Sequence, residues 1–429
     1  MEEITREKKR SFWGGILAGV FITGTLLTIL FIVLLEKETA LVEKRMGEVT
    51  SAAKTTGSYK DSDTGKTRSG SLIDDDFADK ADLIYNSVVK RFYFEEDINE
   101  ADMKENMYKA IIDSLGDKYA EYYTAEELEE MLMSSEGVYY GIGAYVMLDE
   151  ETGYPLLTKI FKDSPASRAG LLDGDIIYAV NDENLFGYKL DEAVALIKGP
   201  ENTEVKLTIY RENEPDYVEV TVIRGKVESP TVEYEMKESN IGYLQITEFD
   251  DVTTEQFYKA YDALNEQGMK AMILDLRSNG GGNLDTVLNI GEKMLPKGII
   301  TYTEDKAGKR EEYKCKGKSV ISIPLVVLTN GYTASASELL TGALHDYGLA
   351  TVIGTNTYGK GIVQTIYPLS DGSGIKITTS RYYTPNGVCI HGEGIAPDIE
   401  LEYDSERYSN EKVDNQIEYA INYLKDKIQ

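Results

Sequence analysis

The sequence predicts a multidomain α/β protein: an N-terminal transmembrane helix, a helical region, a small strand-rich module and an α/β core. Three observations predict it. Phe12 to Leu35 is an uncharged, mostly apolar run. From Phe77 to Met133 apolar residues recur at helical spacing, and from Gly137 to about Arg224 the pattern changes to short strands. Beyond Lys226 strands and helices alternate, the rhythm of a largely parallel sheet covered on both faces.

The apolar run comes first. At ~1.5 Å per residue it spans roughly 36 Å, enough to cross a hydrocarbon core of about 30 Å. Arg6, Lys8, Lys9 and Arg10 precede it, and Glu36 and Glu38 follow. The positive-inside rule makes residues 1–11 a cytoplasmic tail and puts everything after residues 12–35 outside, on a single-pass protein of the cell membrane. The run is long for a signal-peptide core and no A-x-A site follows Leu35, which favours an uncleaved anchor. Residues 36–75 form a juxtamembrane segment and linker. Within it Ser51 to Ser71 has almost no large apolar residues, so it cannot bury enough surface to offset ordering entropy.

The helical region covers 76–134. Leu83, Ile84, Val88 and Val89 make one stripe; Met107, Ala110, Ile111 and Leu115 make another. Thr124 followed three residues later by Glu127 predicts a capping box opening a further helix. The module of short strands covers 135–225. In it Ser164 to Gly170 is a capped helical turn, and Asp173-Gly174-Asp175 turns tightly into a strand from Ile176. The α/β core covers 226–405, with strands at Ile241 to Ile246, Ala271 to Leu276, Ile323 to Leu328 and Ala350 to Ile353. Helices are expected at Thr254 to Asn265, Leu284 to Met294 and Ser335 to Tyr347. A helical segment, 406–429, follows. In such a core functional residues lie past the C-terminal ends of the strands.

The net charge of −29 argues against nucleic acid, which needs a basic surface. Cys315 and Cys389 are the two cysteines; they would be free to pair outside the cell, or to remain free thiols. With no C-x-x-C pair, no H-E-x-x-H and two histidines, no structural zinc, metalloprotease site or other cofactor is expected. Gly354 to Lys360 fits the first seven positions of a P-loop, but Gly361 stands where magnesium binding needs Ser or Thr.

Two segments past strand ends carry chemistry. Thr333-Ala334-Ser335-Ala336-Ser337-Glu338 opens a helix, where free N–H groups and the dipole favour an alkoxide or an oxyanion. The commoner fate of a serine there is to cap the helix, and that applies to both Ser335 and Ser337. A nucleophilic serine also needs a base. His345 lies ten residues along the helix from Ser335, roughly 15 Å by rise, which is too far; spacing does not exclude His391. Lys360, bracketed by Gly359 and Gly361, suits the role if its pKa falls from ~10.4 to about 7–8, roughly 4 kcal/mol that burial can supply. Gln364 is a candidate to hold the amine. Gly280-Gly281-Gly282, after the strand ending at Leu276, gives a backbone that a ligand can approach closely. One of its N–H groups, with that of Ala336, would complete an oxyanion hole.

The joint set resembles the C-terminal processing (tail-specific) serine proteases over roughly Phe77 to Leu401. The matching segments are Ser114 to Tyr119, Asp275 to Gly282, Thr333 to Glu338, Tyr358 to Gln364, and Tyr383 to Gly387 with Gly392 to Asp398. Gly141-Ile142-Gly143 with Ser164 to Ile177 resembles a PDZ domain. The resemblance implies a ClpP/crotonase-like peptidase core and a Ser-Lys pair: Ser335 as nucleophile, Lys360 as general base and Gln364 as the orienting residue. Gly280 or Gly281 with Ala336 would then be the oxyanion donors. It implies that Gly141, Ile142 and Gly143 hold a substrate C-terminal carboxylate, that Arg168 helps signal occupancy, and that the PDZ domain gates activity. Glu338, Asp346 and Thr357 would be supporting residues, and the helical region would make a homodimer. The implied partners are protein or peptide substrates with exposed C-termini. The competing expectation is a membrane-tethered PDZ scaffold with an inactive protease fold.

Overall fold

The computed structural model describes residues 59–60, 67–68 and 71–428. The expected anchor, its cytoplasmic tail and most of the linker lie outside the described residues; among those described, no helix is long and apolar enough to cross a membrane. The chain divides after Glu100 into two units. In the first, a two-residue ladder joins Tyr59–Lys60 to Thr67–Arg68. The helix Asp75–Arg91 follows, opened by Asp74, whose carboxylate accepts the Phe77 N–H at 2.9 Å. Acidic residues in its first turn and basic ones in its last complement the dipole, while Leu83 and Ile84 of its apolar stripe stay exposed. The helical region read as one piece is therefore split, because the helices Glu100–Asp113 and Ala125–Glu136 belong almost wholly to the second unit.

The helix Ala125–Glu136 has the expected capping box: the Thr124 N–H donates to Glu127 at 2.8 Å, and Gly137 ends it at φ 71°. Next comes an antiparallel sheet in the order Val218–Ile223, Glu204–Tyr210, Ile176–Val180, Pro155–Ile160, Ala144–Leu148. Alternate residues Val205, Leu207 and Ile209 point into its core with Leu157, Ile177 and Val222. The Asp173-Gly174-Asp175 turn is pinned by its carboxylates: Asp173 accepts the Ile160 N–H at 2.7 Å, and buried Asp175 pairs with Arg211 at 2.7 Å.

The core sheet runs Val232–Lys237, Ile241–Ile246, Ala271–Asp275, Leu325–Thr329, Ala350–Gly354, Ile399–Glu400, parallel except for the first pair. The period of two separates its faces. Leu244, Met272, Leu274 and Val327 pack under the helices Thr253–Glu266, Leu284–Met294 and Ala336–Asp346. Ile241, Ile273, Val326 and Leu328 pack against Ala420 and Leu424 of the helix Asn415–Lys427. A second, antiparallel sheet was not expected from the sequence: Arg310–Cys315, Gly298–Asp305, Gly374–Tyr383, Ile362–Pro368, with Glu121–Tyr123 added to Gly374–Tyr383. Cys315 and Cys389 are both free thiols.

Candidate active site

Two loops leave the C-terminal ends of adjacent parallel strands and are stapled by Asn279, which is fully buried. Its amide donates to the Ile246 carbonyl at 2.8 Å and accepts the Gly281 N–H at 2.8 Å; its carbonyl accepts the Ala334 N–H at 2.9 Å and the Ser337 hydroxyl at 3.1 Å. The sequence reading missed Asn279; an Asn just before a glycine run was its signal. Upstream, Asp275 is completely buried and accepts from Tyr243 at 2.8 Å and Arg277 at 2.6 Å. Arg277 reaches on to Asp414 at 2.9 Å and Gln416 at 2.8 Å, beside and on the helix Asn415–Lys427.

The serines now separate. Ser337 is buried with its hydroxyl spent on Asn279, a structural role. Ser335 sits at the helix start at φ 54°, ψ −117°, a region that costs a side-chain-bearing residue about 1–3 kcal/mol. Its hydroxyl makes no hydrogen bond among the described residues, so it does not serve as a cap through its side chain. Gly281 makes room for this turn: a Cβ there would lie 2.7 Å from the Ser335 Cβ. The Ala336 N–H, first in the helix, has no acceptor in the described chain, and neither has that of Gly280. The Gly281 N–H is committed to Asn279, so of the two glycines Gly280 has the free donor.

Glu338 joins this turn to the lysine segment. It is fully buried, and its carboxylate accepts from the Ser335 N–H at 2.8 Å, the Lys360 N–H at 2.9 Å, the Gly359 N–H at 2.7 Å and the Thr357 hydroxyl at 2.5 Å. The glycines around Lys360 are needed for packing against the segment 390–394. A Cβ at Gly361 would lie 2.4 Å from the His391 nitrogen, and Gly359 is at φ 86°. Lys360 itself is half-buried. Its ammonium has no hydrogen-bond or ion-pair partner among the described residues and lies 4.7 Å from the Tyr119 ring. Burial, followed by the charge of Lys376, pulls its pKa below the ordinary lysine value, with Lys118 adding to the effect and Tyr358 and Asp117 opposing it. No hydrogen bond joins its amine to Ser335; catalytic bonds often tighten only when substrate binds. Gln364 donates instead to Thr378 at 3.3 Å.

The Ser114 to Tyr119 motif is thereby brought to the lysine. Lys118 donates to the Tyr358 hydroxyl at 2.7 Å. Burial would raise the Asp117 pKa, but hydrogen bonds from Thr378 and the Tyr119 N–H outweigh it and hold the carboxyl below its usual range. His345 stands apart, paired with Asp398 at 3.0 Å; His391 is exposed, with its backbone against Gly361 and its charge adding to the lowering of the Asp117 pKa. Asp346 accepts the Asn386 N–H at 2.8 Å.

In the strand-rich module a cavity of about 1120 Å³ lies between the edge strand Ala144–Leu148 and the helix Leu190–Ile197. Ile142 and Gly143 line it, and their backbone N–H groups have no acceptor in the described chain. Gly141 does not line it; it pairs with Gly225 in a separate ladder. Arg168 is exposed on the helix Pro165–Ala169 and donates to the Asp163 carbonyl at 2.6 Å, away from the cavity walls.

A serine with a free hydroxyl on a strained strand-to-helix turn, beside two unpaired N–H groups, has the geometry of serine-type hydrolases. The profile of peptidase family S41 matches residues 240–401 and that of the PDZ domain residues 158–211. The chain is 35% identical over 336 residues to the carboxy-terminal processing protease CtpA of Bacillus subtilis (strain 168), covering 78% of this chain and 71% of that protein. It is also 35% identical over 325 residues to a CtpA-like serine protease of Staphylococcus epidermidis (strain RP62A), covering 75% of this chain and 65% of the relative. A Bacteroides fragilis protein assigned to the S41 proteases shares the fold, with a TM-score of 0.51, 16% identity, and coverage of 80% of this chain and 97% of that one. The chain belongs to the C-terminal processing serine proteases of family S41.

Proposed function

We propose that the chain is a membrane-anchored endopeptidase whose catalytic part faces outside the cell, with Ser335 as nucleophile and Lys360 as general base. The observation that carries this is the Ser335 turn, with its unbonded hydroxyl beside the free N–H groups of Ala336 and Gly280. The neutral Lys360 amine takes the hydroxyl proton as Ser335 Oγ attacks the scissile carbonyl carbon. The oxyanion is held by the two N–H groups. The Lys360 ammonium then gives its proton to the departing amine, leaving an acyl ester on Ser335. Water, deprotonated by the same amine, hydrolyses the ester. Lowering of the lysine pKa by burial supports this role, because the base must be neutral to accept a proton. Gln364, four residues on in the strand Ile362–Pro368, is assigned to hold the amine in the substrate complex.

The PDZ cavity is assigned to the substrate C-terminus, held by the N–H groups of Ile142 and Gly143 and by pairing to the edge strand. A physical link supports gating. The helix Ala125–Glu136 lines that cavity, and its Ser135 carbonyl accepts from the Asn283 amide at 2.8 Å, one residue past Gly282. The exposed stripe with Leu83 and Ile84 is assigned to a homodimer contact; light scattering at the mass of one subunit would refute that.

The full chain in detergent, incubated with an unfolded protein beside Ser335→Ala and Lys360→Ala, tests the proposal. Fragments seen by mass spectrometry from the parent alone are expected. Equal cleavage by Ser335→Ala overturns the assignment. Silence of all three folded proteins, persisting when C-terminal peptides are added, favours the scaffold reading.

A further inference from the structure

The PDZ cavity has a third wall that the PDZ fold itself does not supply. Glu127, Glu130, Met131 and Ser134 all line it, and their spacing puts them on one face of the helix Ala125–Glu136. The two ends of the cavity differ in charge. Lys198 lies at the carboxylate end: its Cγ is 3.7 Å from where a Cβ on Gly141 would stand, and the Gly199 N–H reaches the Tyr140 carbonyl at 3.4 Å. Asp191 stands in the first turn of the helix Leu190–Ile197, which Lys198 caps, about 10 Å away by helical rise. Glu127 is committed to the Thr124 N–H. Glu130 and Asp191 have no hydrogen-bond or ion-pair partner through their side chains among the described residues, so the walls carry two uncompensated negative charges. Between the ends the lining is apolar, including Ile142, Phe161 and Val194.

We propose that this cavity takes a peptide C-terminus that ends in an apolar residue and carries a lysine or arginine two residues upstream, read by Asp191 and Glu130. The proposal rests on the assignment of the cavity to substrate tails. An extended ligand paired to the edge strand advances about 3.4 Å per residue and alternates its faces, so the side chain two residues before the last shares the face of the last one about 7 Å further along, on the side of Asp191, which precedes Val194 by three residues on the helix. The apolar last side chain fills the pocket by Ile142 and Val194, and its carboxylate meets the free N–H groups near Lys198. Charge complementarity thus runs along the whole ligand: anionic end to cationic end, cationic side chain to acidic walls. The third wall makes recognition depend on an element outside the PDZ domain.

The test uses the full-length Ser335→Ala chain in neutral detergent at low salt. Three labelled peptides share one apolar tail. One carries Lys at the third position from the end, one carries Glu there, and one is the Lys peptide with its C-terminus amidated. Fluorescence anisotropy is expected to show the Lys peptide binding about fivefold to tenfold more tightly than the Glu peptide. That preference should vanish on adding Glu130→Gln and Asp191→Asn to a protein whose melting temperature is unchanged, and the amidated peptide should bind weakly. Equal binding of Lys and Glu peptides with loss on amidation overturns the charge reading and keeps the tail site. A Lys preference that survives both substitutions overturns the residue assignment. Equal binding of amidated and free peptides, or no binding, overturns the tail site and this inference with it.

Discussion

The serine turn and the lysine segment, the two halves of the proposed site, are built in opposite ways. Ser335 is placed by backbone: its dihedrals are fixed, Gly281 packs on its Cβ, and Glu338 holds its N–H. Lys360 has its backbone held by the same carboxylate, but its long side chain ends in an amine that has no polar partner among the described residues and lies over the Tyr119 ring. The proposed nucleophile is therefore in place before substrate arrives, and the proposed base is the part left adjustable.

The largest expected effect breaks the fixed half. Ser335→Ala should lower the rate of protein cleavage at least about a thousandfold without moving the melting temperature. A loss under tenfold would place the nucleophile elsewhere. On the adjustable half, Lys360→Ala should cost about 10²–10⁴ in kcat. In the parent, activity should rise with pH as Lys360 loses its proton, with a midpoint below that of an ordinary lysine because burial disfavours the charge. A profile flat from about pH 6 to 9 would mean a different base.

The part common to both halves comes next. Glu338→Gln puts an amide N–H₂ among four donors and should destabilise the fold by about 2–4 kcal/mol, read by denaturant unfolding. An unchanged midpoint would show that the two halves do not depend on their shared carboxylate.

The smallest effect concerns the junction with the helix Ala125–Glu136. Burial, then the charges of Glu248 and Asp251, pushes Asp250 up to about 7. Its folded pKa is raised, so the stability it confers is whole below the ordinary carboxylate range, declines as pH rises, and is gone once pH passes about 7. Asp250→Asn should therefore melt higher than the parent at pH 8, and the parent alone should lose stability between pH 5 and 8 through this group. Parallel pH–melting curves for the two would contradict this.

Much of this was legible in the sequence where signals are local. The strand Ile241–Ile246 and the helix Leu284–Met294 have the ends their residues predict, and Thr124 and Gly137 mark a helix by its caps. Ser335 and Ser337 could not be separated by residue type, because what distinguishes them is a φ of 54° and a bond to Asn279. Two pairings of the second sheet are local hairpins, Gly298–Asp305 with Arg310–Cys315 and Ile362–Pro368 with Gly374–Tyr383, and were simply not read; the pairings that join the sheet, such as Tyr122 with Ile375, are remote and no local periodicity encodes them. The glycines flanking Lys360 were noticed for the freedom they give a base; their structural reason is the backbone packed against Gly361.

The helix Asn415–Lys427 lies against the core sheet, and Arg277 ties it and its Asp414 cap to the loop that leads to the glycine run. A protease must draw its substrate out as a bare strand before cutting it. Ala420 and Leu424 are fully buried, so exposing this segment to a neighbouring molecule would mean peeling it from the sheet and releasing the Arg277 anchor. An enzyme that lost this helix to another copy of itself would lose the support of its own catalytic loop, and the same burial makes that mutual destruction slow.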